Sequence, residues 1–428
     1  MQYRAPKGVF DILPRAQKPD EQWIESYRWA HLESTLRSVA RDYGYKEIRT
    51  PLFESTELFA RGVGETSDIV SKEMYTFLDR AERSMTLRPE GTAAVVRAFL
   101  EHHLHTQTPV HKLFYIGPMF RYERQQAGRY RQHHQFGAEA IGIGSPEQDV
   151  ELIDMMGEIY RRLGLSNFSV QLNSVGDIES RTAYKNALEA YLSPHLTSLS
   201  PDSQARFSRN ILRILDSKAP EDRQILENCP SILDHLSPAA KEHFGQVKHL
   251  LTHLNIPYTI NPRLVRGLDY YQKTVFEITS NELGAQNSLG GGGRYDGLFK
   301  TMGGPDLPSA GFATGMERIL QAMLKQDAHF PAPPHPTLFI IPMGKAATSV
   351  ALEIATRLRH AHIPTDIDLS GKKVQHGLQN ALDQLATYAL VLGDEELSSG
   401  KAKLKKLATR EQTEVPLAEL AAHLSLGA

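Results

Sequence analysis

Residues 114–142, FYIGPMFRYERQQAGRYRQHHQFGAEAIG, constrain the fold more than any other stretch. Apolar segments at the two ends, Phe114 to Ile116 and Phe136 through Ile143, bracket a polar middle carrying Arg121, Arg124, Arg129 and Arg131, with Gly128 inside it. Phe114, Ile116 and Pro118 alternate with Tyr115, Gly117 and Met119, the period of a strand with two different faces. The pattern predicts a hairpin whose long, charged, Gly-containing tip is functional. Half-buried arginines need partners, and the planar guanidinium fork suits phosphate and carboxylate oxygens. A solvated loop pairing its charges with Glu123 and water is the plainer alternative.

A chain of 428 residues, 41% hydrophobic and 23% charged, has the composition of a soluble globular protein of two or three domains. Net charge is −2, so any polyanion must be met by a local patch rather than by the whole molecule. The single cysteine, Cys229, excludes an internal disulfide and a multi-cysteine zinc site. The eighteen histidines show no H-E-x-x-H spacing, so no resident metal is expected. The N-terminus lacks the apolar core of a signal peptide and the Arg-rich pattern of a transit peptide. No run approaches the ~18 apolar residues of a membrane span. A cytoplasmic protein without membrane contact is expected.

Around the hairpin, periodicity predicts a helix at about 20–43 with a stripe of Leu32, Leu36, Val39 and Tyr43. YKEIRTPLFESTELF reads as a strand interrupted at Pro51, hence at an edge. MYTFLDR is strand-like, Thr86 to Arg88 makes a second short strand, and Pro89-Glu90-Gly91-Thr92 turns into a helix with Thr92 as N-cap. Glu90 complements that helix start. A helix at 146–163 and a strand from Phe168 precede a stretch, about 178–255, with few strand signals and frequent Asp, Ser and Pro. It reads as a helical insertion. Strand character resumes at 258–279, with Tyr270 and Tyr271 at a strand start. NSLGGGGRYDGL reads as a Gly-rich loop open to close ligand approach beside Arg294, though it lacks the P-loop pattern. In 308–325 a stripe of Met316, Ile319, Leu320, Met323 and Leu324 leaves Glu317 and Arg318 in the first helical turn. A cation there is disfavoured by the dipole unless an anion is shared. FPAPPHP, 330–336, is the clearest linker. Beyond it, β-α-β-α-β alternation predicts a parallel sheet, and the basic run Lys401, Lys403, Lys405, Lys406 a solvated face.

F-R-x-E followed by G-R-Y-R-Q resembles the second signature motif of class II aminoacyl-tRNA synthetases, most closely in its histidyl-tRNA synthetase form. L-R-P-E-G-T and L-V-R-G-L-D-Y-Y resemble the same family, G-x-E-R at Arg318 resembles the third motif, and the long helix with its edge strand resembles the first. The resemblance covers essentially the whole chain. It implies an α+β fold: an antiparallel-sheet catalytic core (1–330) with the helical insertion (about 178–255), a linker (331–336), and a C-terminal α/β anticodon-binding domain (337–428).

It also implies a histidine–tRNA ligase that uses ATP with Mg²⁺, acts on L-histidine and tRNA(His), and forms a homodimer through the first motif. Carried onto matching positions, Arg121 would grip the α-phosphate and substrate carboxylate, and Glu123 would read the adenine amine. Arg129 and Arg318 would hold the β,γ end of ATP, and Arg266 would act as the principal catalytic cation. Glu90, Thr92 and Gln135 would hold the amino acid backbone, with Glu139, Tyr270 and Tyr271 around the imidazole. One position departs: His133 stands where the family usually has the phenylalanine that stacks on adenine. Two rivals lack the chemistry, the regulatory paralogue of ATP phosphoribosyltransferase and an RNA-binding or sensor module on the same fold. The first typically lacks the C-terminal domain and loses the arginines retained here.

Overall fold

A computed structural model describes residues 3–64, 67–123, 129–217 and 219–426. Arg124 and Gly128 of the hairpin tip lie outside the described residues. The chain divides into two compact units, Met1–Pro331 and Ala332–Ala428, inside the Pro-rich stretch.

The first unit carries strands β1 (Lys46–Glu47), β2 (Phe53–Ser55), β3 (Tyr75–Leu78), β4 (Ser84–Leu87), β5 (His111–Phe120), β6 (Gln132–Ile141), β7 (Ser169–Ser174), β8 (Tyr258–Ile260), β9 (Gln272–Thr279), β10 (Ser288–Arg294) and β11 (Ser309–Gly315). Its helices are α1 (Ser26–Asp42), α2 (Thr56–Val63), α3 (Thr92–Glu101), α4 (Pro146–Arg162), α5 (Ile178–Leu192), α6 (Pro201–Arg209), α7 (Pro220–Leu226), α8 (Pro238–His253), α9 (Leu298–Thr301) and α10 (Met316–Lys325). Eight strands form one sheet in the order β1-β5-β6-β11-β10-β9-β7-β8, antiparallel except at its two outer pairs.

The hairpin is β5–β6, with Phe114 opposite Ala138 and Ile116 opposite Phe136. Its period-two alternation gives the sheet two unlike faces. Phe114, Phe136, Ala138, Phe276 and Phe312 point into the main core, where Leu32, Leu36 and Val39 of α1, Ile153 and Met156 of α4, and Ile319 and Leu320 of α10 cover them. The residues between them, Tyr115, Gln135, Glu139 and Ala313, face the opposite side. One face makes the core; the other is left for chemistry.

Several sequence expectations change. The strand through 45–59 is two short strands in different sheets, β1 beside β5 and β2 beside β4, and TELF opens α2. Proline at 51 separates them, since it cannot supply a ladder donor. The glycine run is not a loop: Gly290 to Gly293 sit in β10, paired with both β9 and β11. Glycine has low strand propensity, so the run hides a strand that packing requires. A Cβ on Gly292 would meet the Gly311 carbonyl oxygen at 2.1 Å, so a side chain there would force β10 and β11 apart. Arg294 is fully buried and paired with Asp149 at 2.6 Å, away from any ligand surface.

The stretch expected as an insertion carries helices and no strand among its described residues, and the Asp, Ser and Pro that marked it begin helices. Pro201, Pro220 and Pro238 each open one, where the missing N–H costs nothing. Ser200 and Ser237 cap two of these and Asp177 caps α5. Tyr184, Leu188, Ile214 and Leu226 form a separate small core, whereas Phe244, Val247 and Leu251 of α8 join the main core.

The second unit has β12 (Leu338–Pro342), α11 (Lys345–His360), β13 (Thr365–Ile367), α12 (Val374–Asp383), β14 (Tyr388–Leu392), α13 (Asp394–Ser399), β15 (Lys401–Lys406), β16 (Gln412–Pro416) and α14 (Leu420–Leu426). The sheet order is β13-β12-β14-β15-β16, parallel over the first three strands as the alternation predicts. The last two are antiparallel. The basic run is β15 itself: Ala402 and Leu404 are buried between solvent-facing lysines.

Candidate active site

All twelve residues to which the resemblance gives site roles line one cleft on the polar face of the large sheet. About 1030 Å³ of space lies between its walls, part of it open to solvent. One end is carboxylate and tyrosine; the other is arginine.

At the first end, β6 projects Gln135 and Glu139 on the same side. Glu139 is almost fully buried and accepts hydrogen bonds from the Thr92 hydroxyl at 2.7 Å and from the Tyr295 hydroxyl. Burial raises its pKa to about 8, against the pull of those two donors, and the nearby charge of Glu90 pushes the same way. Glu90 is itself raised by burial, partly offset by the backbone N–H groups it binds, Ala93 at 2.8 Å and Thr92 at 2.7 Å. Thr92 is therefore not the N-cap. It is the first helical residue, the Glu90 carboxylate takes over the capping, and the Thr92 hydroxyl is free to serve Glu139. Tyr270 and Tyr271 immediately precede β9 with ring centres 4.7 Å apart. Burial raises both phenols, so they remain protonated and can donate.

At the second end, four guanidinium groups converge from separate elements. Arg121 donates from Nε to the Pro89 carbonyl at 2.8 Å. Arg129 lies 3.2 Å from Glu123. Arg266 pairs with Glu277 at 3.0 Å, and the Ser288 hydroxyl donates to the same carboxylate oxygen at 2.6 Å. Arg318, in the first turn of α10, donates to the Ser288 carbonyl at 2.7 Å. Burial opposes the charge on Arg266, but Tyr271 and Glu277 prevail and raise its pKa. Arg318 shifts down through burial and the like charge of Arg129. His133 is pushed well below the usual histidine value by burial and then by Arg121 and Arg318, so it presents a neutral ring.

Three polar atoms on this surface, Glu123 Oε2, Gln135 Oε1 and Arg266 Nε, are buried without a hydrogen-bond partner among the described residues, Glu123 keeping only its ion pair with Arg129. Buried groups left in that state have hydrogen-bonding capacity that a ligand can take up. Clustered cations beside a pair of capped carboxylates can bind a polyanion at one end and an ammonium or N–H donor at the other.

Sequence reasoning missed Tyr115, Tyr295, Ser288 and Glu277. Tyr295 directly follows Arg294 in the glycine run, so the wrong neighbour was singled out. Tyr115 shares the alternation that exposes Gln135 and Glu139 to the cleft, a signal present in the hairpin pattern. Glu317 is buried in the cleft wall and accepts from the backbone N–H and Nδ1 of His134, at 2.8 and 2.9 Å.

Among the described residues, no group of three or more His, Cys, Asp or Glu could hold a metal ion, and no helix is long and apolar enough to cross a membrane. A family model for histidyl-tRNA synthetase matches residues 20–319, and one for an anticodon binding domain matches 337–425. The histidine–tRNA ligase of Protochlamydia amoebophila is 58% identical over 98% of this chain and 99% of its own. That of Thermosynechococcus vestitus is 48% identical over 98% and 96%. The crystal structure of apo Staphylococcus aureus histidyl-tRNA synthetase superposes with a TM-score of 0.82 at 37% identity, covering 99% of this chain and all of that one. With motifs, fold and near-full-length relatives in agreement, the chain belongs to the histidyl-tRNA synthetase family.

Proposed function

We propose that the chain is a histidine–tRNA ligase that works in two steps within this cleft. A carboxylate oxygen of L-histidine attacks the α-phosphorus of ATP, the bond to the β-phosphate bridge breaks, and histidyl-adenylate and pyrophosphate form. A terminal ribose hydroxyl of tRNA(His) then attacks the activated carbonyl and AMP leaves. The first step brings two anions together, so alignment and cationic stabilisation carry most of the rate enhancement.

The observation that carries this reading is the convergence of Arg121, Arg129, Arg266 and Arg318 a short distance from the Glu90–Thr92–Glu139 cluster. Arg266 and Arg121 act at the α-phosphate, Arg129 and Arg318 at the β,γ end, and Glu123 and His133 at the adenine. Glu90, Thr92 and Gln135 receive the amino acid backbone, while Glu139, Tyr270 and Tyr271 surround the imidazole. Mg²⁺ enters on the phosphates of ATP. Imidazole offers two different nitrogens, and a site satisfying both leaves buried groups unpaired with any other amino acid, a discrimination worth ~10⁴-fold.

Residues 1–330 would supply catalysis and 337–428 anticodon binding, in a cytoplasmic homodimer joined near α1 and β1. Nothing favours the regulatory paralogue, since the arginine cluster and the C-terminal sheet are both present. Aminoacylation of tRNA(His), with each of the other amino acids as competitor, tests the assignment. Charging by histidine alone supports it; charging by another amino acid, or none from folded protein, overturns it.

A further inference from the structure

Ahead of α1, residues 3–25 run as a strap across the base of the β5–β6 tip. Leu13 is fixed at one end by backbone bonds, its N–H to Ile24 and its carbonyl to Ser26. Ala16 N–H donates to Glu25, whose other carboxylate oxygen pairs with Arg28 at 2.9 Å. At the other end, the Gly8 carbonyl accepts the N–H of Arg131 at 2.7 Å, just where the tip returns into β6. The Arg131 carbonyl accepts from Arg121 N–H at 2.9 Å, and its guanidinium lies 4.1 Å over the Tyr122 ring. The strap thus extends the clamp that closes the base of the tip.

Between these ends Phe10 sits in a nest of rings. Its centre is 4.7 Å from Trp23 and 5.0 Å from Tyr130, both edge-on, and 6.4 Å from His134. Trp29 lies 5.0 Å from His134, and its indole N–H donates to the Trp23 carbonyl. Tyr130 also takes a hydrogen bond from Gln321 of α10 and forms part of the cleft wall. His134 is held by Glu317. Phe10 therefore touches residues on both sides of His133, while Gly8 grips the residue two positions after Arg129. Arg129 lies just ahead of the residues the strap touches, and His133 stands at the start of β6, paired there with Met119.

We infer that Gly8 and Phe10 are positioning residues for the ATP-binding limb Arg129–His133, acting through Arg131, Tyr130 and His134. The inference rests on the proposed reading of the cleft as an ATP and histidine site. Gly8 is diagnostic because its φ is +87°, and a Cβ would meet Arg131 Cγ at 2.7 Å and Cδ at 2.8 Å. The strap does reach His134 at the start of β6, but Glu90 and Thr92 at the start of α3, Glu139 further along β6 and the Tyr270–Tyr271 turn make none of these contacts, so displacement of the strap acts first on the ATP end.

Gly8→Ala and Phe10→Leu test this in histidine-dependent ATP–pyrophosphate exchange, the second variant keeping apolar volume so that folding survives. Each raises the KM for ATP by about 5–20-fold with the KM for histidine within about twofold. A general loss of packing would move both constants or neither. A second readout needs no turnover: the chain's two tryptophans, Trp23 and Trp29, both stand in this ring cluster. ATP alone produces a saturable change in tryptophan emission in the unaltered protein, weakened in Phe10→Leu, while histidine alone leaves emission nearly unchanged. Equal shifts in the two KM values, or ATP-insensitive emission, overturn the inference while leaving the ligase reading intact. Absence of exchange in folded unaltered protein overturns both.

Discussion

Glu277 holds Arg266 at 3.0 Å while accepting a second hydrogen bond from Ser288, whose own carbonyl receives Arg318. Two cations of the proposed nucleotide end are thus referenced to one point at the start of β10. Glu277→Gln keeps the shape and removes the charge. A charge-assisted hydrogen bond is worth ~1.5–3 kcal/mol, so kcat for pyrophosphate exchange falls about 10–100-fold. Thermal unfolding should move little, since the pair is partly exposed. An unchanged kcat would show that Arg266 is held by other contacts.

Glu139 gives the protein a specific pH dependence. Its ordinary value is 4.5 and its folded value about 8, so between these limits the native state keeps a proton that the unfolded chain has released. Stability from this group therefore falls as pH rises through that window and levels off above about 8. His133 has the opposite sign: its folded value lies well below 6.5, so the unfolded chain takes up the proton first and stability is lost as pH falls below 6.5. The range between 6.5 and 8 isolates Glu139 from His133. Melting temperatures should decline across it in the unaltered protein and decline less in Glu139→Gln. Parallel declines would refute the assignment.

His133 stands at the proposed adenine face as a neutral ring. His133→Phe should retain exchange activity and change the KM for ATP, because a larger apolar ring stacks differently on a base. An unchanged KM for ATP would remove His133 from the adenine site.

Asp149 and Arg294 carry a structural load away from the cleft. Both are almost fully buried, and Asp149 also accepts from His243 at 2.8 Å. Asp149→Ala leaves the buried Arg294 guanidinium with Asp296, 3.2 Å from its Nε, as its remaining carboxylate, and should cost ~1.5–3 kcal/mol of stability, read as a lower denaturation midpoint. Because Arg294 does not line the cleft, surviving folded protein should keep its KM for ATP.

The parts of the fold most legible in the sequence were those where side chain and backbone preferences agree. The hairpin alternation, the stripes of α1, α4 and α10, and the Pro-rich boundary all say the same thing at several levels. The glycine strand β10 was illegible because glycine advertises freedom, whereas this segment is held from both sides by ladder bonds. The lysine-rich β15 hid behind its charge, although Ala402 and Leu404 keep the strand period. At the site, charged and aromatic residues with a motif around them line the cleft as expected, and Tyr115 was legible in the hairpin alternation, while Glu277 and Ser288 act through partners on neighbouring segments. No local pattern announces a residue whose role is to orient another. The division of labour between Glu90 and Thr92 likewise needed the turn geometry, since either could cap the helix on paper.

Histidine-dependent ATP–pyrophosphate exchange, measured side by side on the unaltered protein and Arg266→Ala, tests the central claim most directly. Exchange that requires histidine and falls by about 10²-fold or more in folded Arg266→Ala is the predicted result. Exchange undiminished in the variant would contradict the role given to Arg266, and none in the unaltered folded protein would contradict the ligase itself.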